Sequence, residues 1–422
     1  MSSISFQTFG CKLNFAETTT ISGMLKNRGH EIVDDVAHAD FHVINSCTVT
    51  EHSEKKCRQA IRHAASCNPK VKIIVVGCYA QLHADELYKL PNVFYVSGNA
   101  GKFKLHEVLE QGLPFSFDDD INADSHDGRE YFAAMSDESR TRSFLKIQDG
   151  CDYFCTYCAI PYARGRSRSD TIEHLMHMAA DSVAHGMKEI VLTGVNIGDF
   201  GRKTGESLYD LLTNLITIDG LRRIRISSIE PNLLEDRILQ LCIDSDKIMP
   251  HFHIPLQAGT DKILKMMRRR YDLSFFEKKI YSVKELMPLS CIAMDLITGF
   301  PGENDDDFDE TVKFIQSLPI SYLHVFSYSD RPEAAASKFE GKVRNEVIAQ
   351  RSKILHKISE DKWQQFLKLN HGTTHTALLE HRNRLGNWVG WTDNYIPVEH
   401  HSDEDMHNAI ITLTLPDAWT KD

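Results

Sequence analysis

Two kinds of hydrophobic spacing alternate along the chain. Short apolar runs rich in β-branched residues occupy 4–9, 41–45, 72–76 and 93–96, and stretches of helical period cover 16–27, 51–66 and 83–90. Strand-like runs separated by helical ones predict a parallel, doubly wound sheet over residues 1–112. No G-x-G-x-x-G follows the first run, which argues against a dinucleotide fold of the usual kind. The alternation resumes on a larger scale over 139–369, with strands predicted at 144–148, 189–193, 223–227, 251–255, 292–297 and 322–327. Six βα units in succession predict a full or partial barrel, whose chemistry lies at the C-terminal ends of its strands. A helix predicted over 345–369 leads into short strands at 376–380, 388–392, 396–399 and 409–415, the pattern of a small β-barrel over 370–422. Between the first two units, 113–138 carries Asp118, Asp119, Asp120, Asp124 and Asp127 with little apolar content and reads as an acidic linker. The fold class is therefore α/β, in three units. No period of 20–50 residues marks a solenoid.

Composition narrows the function classes. A chain of 422 residues with 42% hydrophobic and 25% charged residues is that of a multidomain soluble protein. No apolar run reaches the roughly 18–20 residues needed to span a bilayer, and MSSISFQTFGCKLNFAE lacks the basic flank and apolar block of a secretory signal. The expected location is the cytoplasm, without a membrane partner. Thiols stay reduced there, so ten cysteines point to metal ligation or catalysis rather than disulfides. A net charge of −11 excludes a general nucleic-acid coat. Basic clusters at Arg140, Arg142 and Lys146, at Arg164, Arg166 and Arg168, and at Arg268, Arg269 and Arg270 still allow a nucleic-acid substrate held by local fields.

The sharpest chemical signal is Cys151-Asp-Tyr-Phe-Cys155-Thr-Tyr-Cys158, directly after the first strand of the second unit. Three thiolates on one loop repel one another and each is desolvated, so a metal centre must take up the charge. A tetrahedral zinc ion wants a fourth ligand nearby, and none is in view. Three cysteines suit a 4Fe-4S cluster with one iron left open. This spacing, with Tyr157 before the third cysteine, resembles that of the radical S-adenosylmethionine (SAM) superfamily, and the six βα units match its partial barrel. The resemblance implies that the open iron chelates SAM and that Tyr157 lies against the adenine.

A second constellation is dispersed. Cys11, Cys47 and Cys78 each fall one or two residues past a predicted strand, in FGCKLN, INSCTV and VGCYAQ. In a doubly wound sheet those ends converge on one crevice, where ligands bind. Cys57, Cys67, Cys242 and Cys291 fall instead on helical stripes, a helix exit or a strand start, and are expected to be small hydrophobes. Three cysteines in an N-terminal α/β unit, a radical SAM barrel and a small C-terminal β module together resemble the methylthiotransferase family over nearly the whole chain. The family's terminal module, called TRAM, helps grip the substrate. The resemblance implies two 4Fe-4S clusters. The one on Cys151, Cys155 and Cys158 would cleave SAM to a deoxyadenosyl radical, the one on Cys11, Cys47 and Cys78 would hold the sulfur, and a second SAM would supply the methyl group. An electron donor such as a flavodoxin or ferredoxin and a sulfur donor are the implied partners, and a monomer is expected.

Several residues are placed at the barrel mouth by ending strands. Gly194, in Thr193-Gly194-Val195-Asn196, is expected to admit SAM near the backbone, with Asn196 beside it. Ser227, Ser228 and Glu230 stand where ribose hydroxyls would lie. Alternation puts His253, Pro255 and Gln257 on the side of His251, and Ile297 and Gly299, in DLITGFPGE, resemble the family's adenine-contacting strand. The run after the cysteine loop, Tyr162 to Ser169, offers Arg164, Arg166 and Arg168 to a SAM carboxylate or a nucleic-acid phosphate. Asp170 stands where another arginine is expected.

FGCKLNFAET and IPYARGRSRS look most like the branch acting on threonylcarbamoyladenosine beside the tRNA anticodon, giving its 2-methylthio derivative. Other branches act on isopentenyladenosine in tRNA or on an aspartate of a small-subunit ribosomal protein. From His371 onward only Arg382, Arg384 and Lys421 face eight carboxylates, a poor phosphate binder that would suit a basic protein substrate better. The arginines of the barrel favour tRNA, with Arg268, Arg269 and Arg270 as its expected contacts. A cluster protein of electron-transfer or sensing type, the contrasting class, would need neither a six-strand barrel nor an open iron.

Overall fold

The computed structural model describes residues 1–111, 130–136 and 141–416. Asp118, Asp119, Asp120, Asp124 and Asp127, on which the linker reading rests, lie outside the described residues, as do Arg140, Asp417, Lys421 and Asp422.

Five parallel strands build the N-terminal unit, in the order Glu31–Ile32, Ser3–Thr8, Phe41–Ser46, Lys72–Gly77 and Val93–Ser97. The strands are apolar on both faces because helices cover both. Val43, Ile74 and Val76 pack on Ala16, Ile21 and Leu25 of the helix Lys12–Asn27. The alternate residues Ile44, Ile73 and Val75 pack on Cys57, Ile61 and Ala64 of the helix Glu51–Cys67. The two-residue edge strand is too short to leave a periodic signal. The helix expected over 83–90 is two short ones, Cys78–Leu82 and Ala84–Leu87, because the chain turns into a helix directly at Cys78.

Six parallel strands follow in sequential order: Arg142–Lys146, Glu189–Thr193, Arg223–Ile226, His251–His253, Cys291–Thr298 and Tyr322–Ser327. Bridges Ile224 to Ile248 and Ser228 to His253 join the two halves. Among the described residues the first and sixth strands do not pair, so the barrel is partial. Leu145, Ile190 and Leu192 face the surrounding helices. Phe144 and Val191 face the opposite way and share a core with Ala16, Ile21 and Leu25. The helix Lys12–Asn27 thus packs on the concave side of the barrel. Residues 130–136 correct the linker reading, since Ala134 and Met135 are buried and Met135 bridges to Leu145.

The helix Asn345–Asn370 leads to a four-stranded antiparallel sheet, in the order Pro397–His400, Trp388–Thr392, Thr374–Arg382 and Ile410–Thr414. Its loop caps the N-terminal ends of the barrel strands. Arg225 donates to Thr392 O at 2.7 Å and Asp393 O at 2.9 Å, and Tyr395 stacks on His251 at 4.3 Å. Cys291 is sealed there among Phe366, Ala377 and Trp388, as its strand-start position predicted.

Candidate active site

The N-terminal crevice is built by glycine turns. Gly10 has φ +99°, and a Cβ on it would sit 2.8 Å from Cys47 Sγ, so only glycine lets the first loop close on Cys47. Gly77, at φ +98°, turns the fourth strand directly into the helix that Cys78 begins. Cys11 is the N-cap of the helix Lys12–Asn27, and Cys47 follows the strand Phe41–Ser46 without a gap. Two of the three cysteines therefore sit at helix N-termini, and burial raises the Cys11 thiol above its ordinary value. Burial, with Cys78 and Cys11 nearby, pushes the Cys47 thiol up to about 12.

In the barrel loop, Cys155 is buried while Cys151 and Cys158 are half-buried. Burial and the adjacent Cys155 push the Cys158 thiol up to about 12. Arg269 donates to Cys155 Sγ at 3.2 Å and to Tyr157 Oη at 3.4 Å, and is paired with Glu230. Neither triad gathers its three sulfurs within 4.8 Å of one another. A single zinc ion would hold thiolates about 3.8 Å apart, as Zn–S bonds of about 2.3 Å in a tetrahedron require. Neither triad as it stands has that spacing.

The segment after Cys47 and the loop around Cys158 meet at the interface between the units. A cavity of about 170 Å³ is lined by Thr48, Val49 and Thr50 on one side and by Tyr157, Cys158, Gln257, Asp295 and Ile297 on the other. Arg164 crosses the interface: its Nη2 donates to Asn14 Oδ1 at 2.6 Å, and its Nη1 to Asp149 Oδ1 at 2.9 Å and Glu17 Oε1 at 3.1 Å. Asn99 donates to Cys78 Sγ at 3.6 Å and to Ala163 O at 3.0 Å.

Residues 3–98 match the model of the uncharacterized protein family UPF0004, and residues 145–315 that of the radical SAM superfamily. The chain is 37% identical over 412 residues to the threonylcarbamoyladenosine tRNA methylthiotransferase MtaB of Aquifex aeolicus, covering 97% of this chain and 99% of that one. It is also 37% identical to MtaB of Bacillus subtilis, over 98% of this chain and 94% of that one. A tRNA-2-methylthio-N(6)-dimethylallyladenosine synthase of Desulfotalea psychrophila is 30% identical over 90% of this chain and 88% of its own length. The chain belongs to the radical SAM methylthiotransferase family. Its fold is similar to that of the radical SAM methyltransferase TsrM of Kitasatospora setae, at 11% identity, with a TM-score of 0.57 over 79% of this chain and 76% of that one.

Methylthiotransferases of this family use SAM and 4Fe-4S clusters, and the mouth of the barrel offers polar and apolar groups to a ligand. Asn196 is buried with neither side-chain polar atom partnered, an environment that a polar ligand completes. Gln257, held at φ +72°, and Ile297 line the cavity with Tyr157. Ser228 is half-buried beside His253.

Other residues expected at the site pack against or pair with neighbouring groups. A Cβ on Gly194 would meet Gln148 O at 2.9 Å and Ile197 Cγ2 at 3.0 Å, so the loop packs closely only because this residue lacks a side chain. Glu230 is paired with Arg269. Arg168 is not free for a carboxylate: it donates to Asp149 Oδ2 at 2.9 Å, Arg164 O at 2.7 Å and Glu130 O at 3.2 Å. Arg164 and Arg269 are not tRNA contacts, because their guanidinium groups are buried in ion pairs with Glu17 and Glu230. Arg166, Arg268 and Arg270 remain exposed. Arg166 pairs with Asp152, and Arg270 lies 3.9 Å from the Tyr153 ring centroid, so both flank the cysteine loop.

Proposed function

We propose that this protein adds a methylthio group to C2 of threonylcarbamoyladenosine next to the tRNA anticodon. In this reading Cys151, Cys155 and Cys158 hold one 4Fe-4S cluster with SAM, and Cys11, Cys47 and Cys78 hold a second. One observation carries it: the segment directly after Cys47 and the loop that holds Cys158 line a single cavity, so a substrate bound there would lie between the two cysteine-bearing loops. The likeness to two MtaB proteins over nearly the full chain supports the choice of nucleoside.

When bound, these cofactors supply the radical chemistry and the sulfur that an unactivated aromatic C–H demands. The chain supplies position and dryness. Tyr157 and Ile297 offer an apolar wall to a purine, while Asn196 and Gln257 offer amide groups to polar atoms of SAM. The buried interface network of Arg164, Glu17, Lys102, Lys146 and Asp149 fixes the separation of the two cysteine sites. Such positioning decides rates, because a misplacement of about 1 Å can cost about a hundredfold. Arg166, Arg268 and Arg270 provide a basic rim for tRNA phosphates, whose contacts weaken with salt.

Three working units accompany this reading, 1–112, 139–369 and a TRAM-like 370–422, in a cytoplasmic monomer that takes electrons from a flavodoxin or ferredoxin and sulfur from a separate donor. No helix among the described residues is long and apolar enough to cross a membrane. The deciding experiment is anaerobic turnover of reconstituted protein with tRNA, SAM and a reductant, followed by nucleoside mass spectrometry. The 2-methylthio derivative of threonylcarbamoyladenosine is expected. Cys155→Ala should end 5'-deoxyadenosine release, whereas Cys47→Ala should keep that release and lose thiolation. Thiolation by the Cys47→Ala protein would defeat the cluster assignment.

A further inference from the structure

Arg331 follows the sixth barrel strand and lines the cavity that Thr48 and Cys158 also line. It is 4% exposed. Its Nη1 is paired with Glu54 of the N-terminal unit, a carboxylate that also accepts from Thr48 Oγ1. Its Nε and Nη2 are buried and have no partner among the described residues. Those two nitrogens form the side edge of the guanidinium, whose parallel N–H bonds match the two oxygens of a carboxylate or phosphate. Glu54 thus holds the planar group by its far corner and leaves the bidentate edge open. Buried donors without acceptors are rare in native proteins and mark places where a ligand completes the set.

The other charged or acidic groups of this cavity do not compete for that edge. Asp295 lies on the lining but is hydrogen-bonded to His253 Nε2 at 2.7 Å. Thr48, Thr50 and Gln257 add polar atoms around Arg331.

We propose that Arg331 is a substrate-binding residue that takes an oxyanion of the target nucleotide through its Nε and Nη2. This deepens the reading of the protein as a threonylcarbamoyladenosine methylthiotransferase and rests on it. Such a nucleotide carries two oxyanions, the carboxylate left free on the threonyl group and the phosphate of the backbone. A contact to the first selects the nucleoside, and a contact to the second only positions the strand.

The test is the affinity of cluster-loaded protein for two anticodon stem-loops, one with threonylcarbamoyladenosine and one with plain adenosine at the same position. Two variants are compared with wild type: Arg331→Lys, which keeps the charge but loses the fork, and Arg331→Met with Glu54→Gln, which removes both buried charges so that neither is stranded. Iron content and unfolding temperature report whether each variant is folded.

A loss of roughly ten- to a hundredfold is expected for both variants. Confined to the threonylcarbamoyl RNA, it assigns the carboxylate; equal on both RNAs with a shallower salt dependence, it assigns the phosphate. The proposal is overturned if folded variants bind both RNAs as wild type does. It is equally overturned if the only change is in the reduction potential of the Cys11, Cys47 and Cys78 centre, because Arg331 would then serve that cluster. Failure of wild type to thiolate either RNA would instead remove the substrate reading on which the proposal rests.

Discussion

Arg164 Nη2 lies 2.6 Å from Asn14 Oδ1, joining the segment six residues past Cys158 to the segment three residues past Cys11. This contact makes the two cysteine sites parts of one rigid assembly. Around it Glu17 accepts from Lys146 at 2.9 Å, and Asp149 accepts from Lys146 at 2.8 Å and Arg168 at 2.9 Å. Removing one member of a buried network strands the others without counter-charge, which typically costs about 3–5 kcal/mol.

Arg164→Met is therefore expected to lower stability by that order and to loosen the N-terminal unit from the barrel. Denaturant unfolding and limited proteolysis of the folded protein measure the two effects. An unchanged midpoint together with unchanged cleavage would show that the interface does not depend on this cation.

Much of this arrangement was legible in the chain. The strands that precede the cysteine loops and the parallel order of both sheets follow from spacing and alternation, since burial on both faces writes continuous apolar runs. Roles of charged residues did not follow. Arg164 and Arg269 sit in basic clusters that read as nucleic-acid contacts, yet Glu17 and Glu230, 147 and 39 residues away in sequence, claim them in the fold. Nor did the packing at Gly194 follow, where the missing side chain makes room for Gln148. Arg331 carries no local pattern, and only its burial and its open edge disclose it.

Acid sensitivity has a specific source in His42, on the third strand of the N-terminal sheet. It is buried and hydrogen-bonded to Ser5 Oγ at 2.7 Å, and burial lowers its pKa to about 4 from 6.5. The unfolded chain takes up this proton first, so the stability due to a neutral His42 is complete above about 6.5 and is lost as pH falls towards 4. The loss is on the order of 3 kcal/mol by pH 4. His42→Asn should flatten the dependence of unfolding free energy on pH across that window. A slope identical to wild type between pH 6.5 and 4 would place the acid sensitivity elsewhere.

Arg269 and Cys155 give the most local prediction. The guanidinium is 2% exposed and donates to Cys155 Sγ at 3.2 Å. A cation hydrogen-bonded to a cluster thiolate favours the more negative, reduced state, so it raises the reduction potential. With the proposed cluster bound by Cys151, Cys155 and Cys158, Arg269→Met should shift its potential to a more negative value. Glu230→Gln, which leaves the cation but removes its paired charge, should shift it the opposite way. Redox titration followed by electron paramagnetic resonance separates the two signs, and shifts of the same sign in both variants would mean that loop packing, not charge, sets the potential.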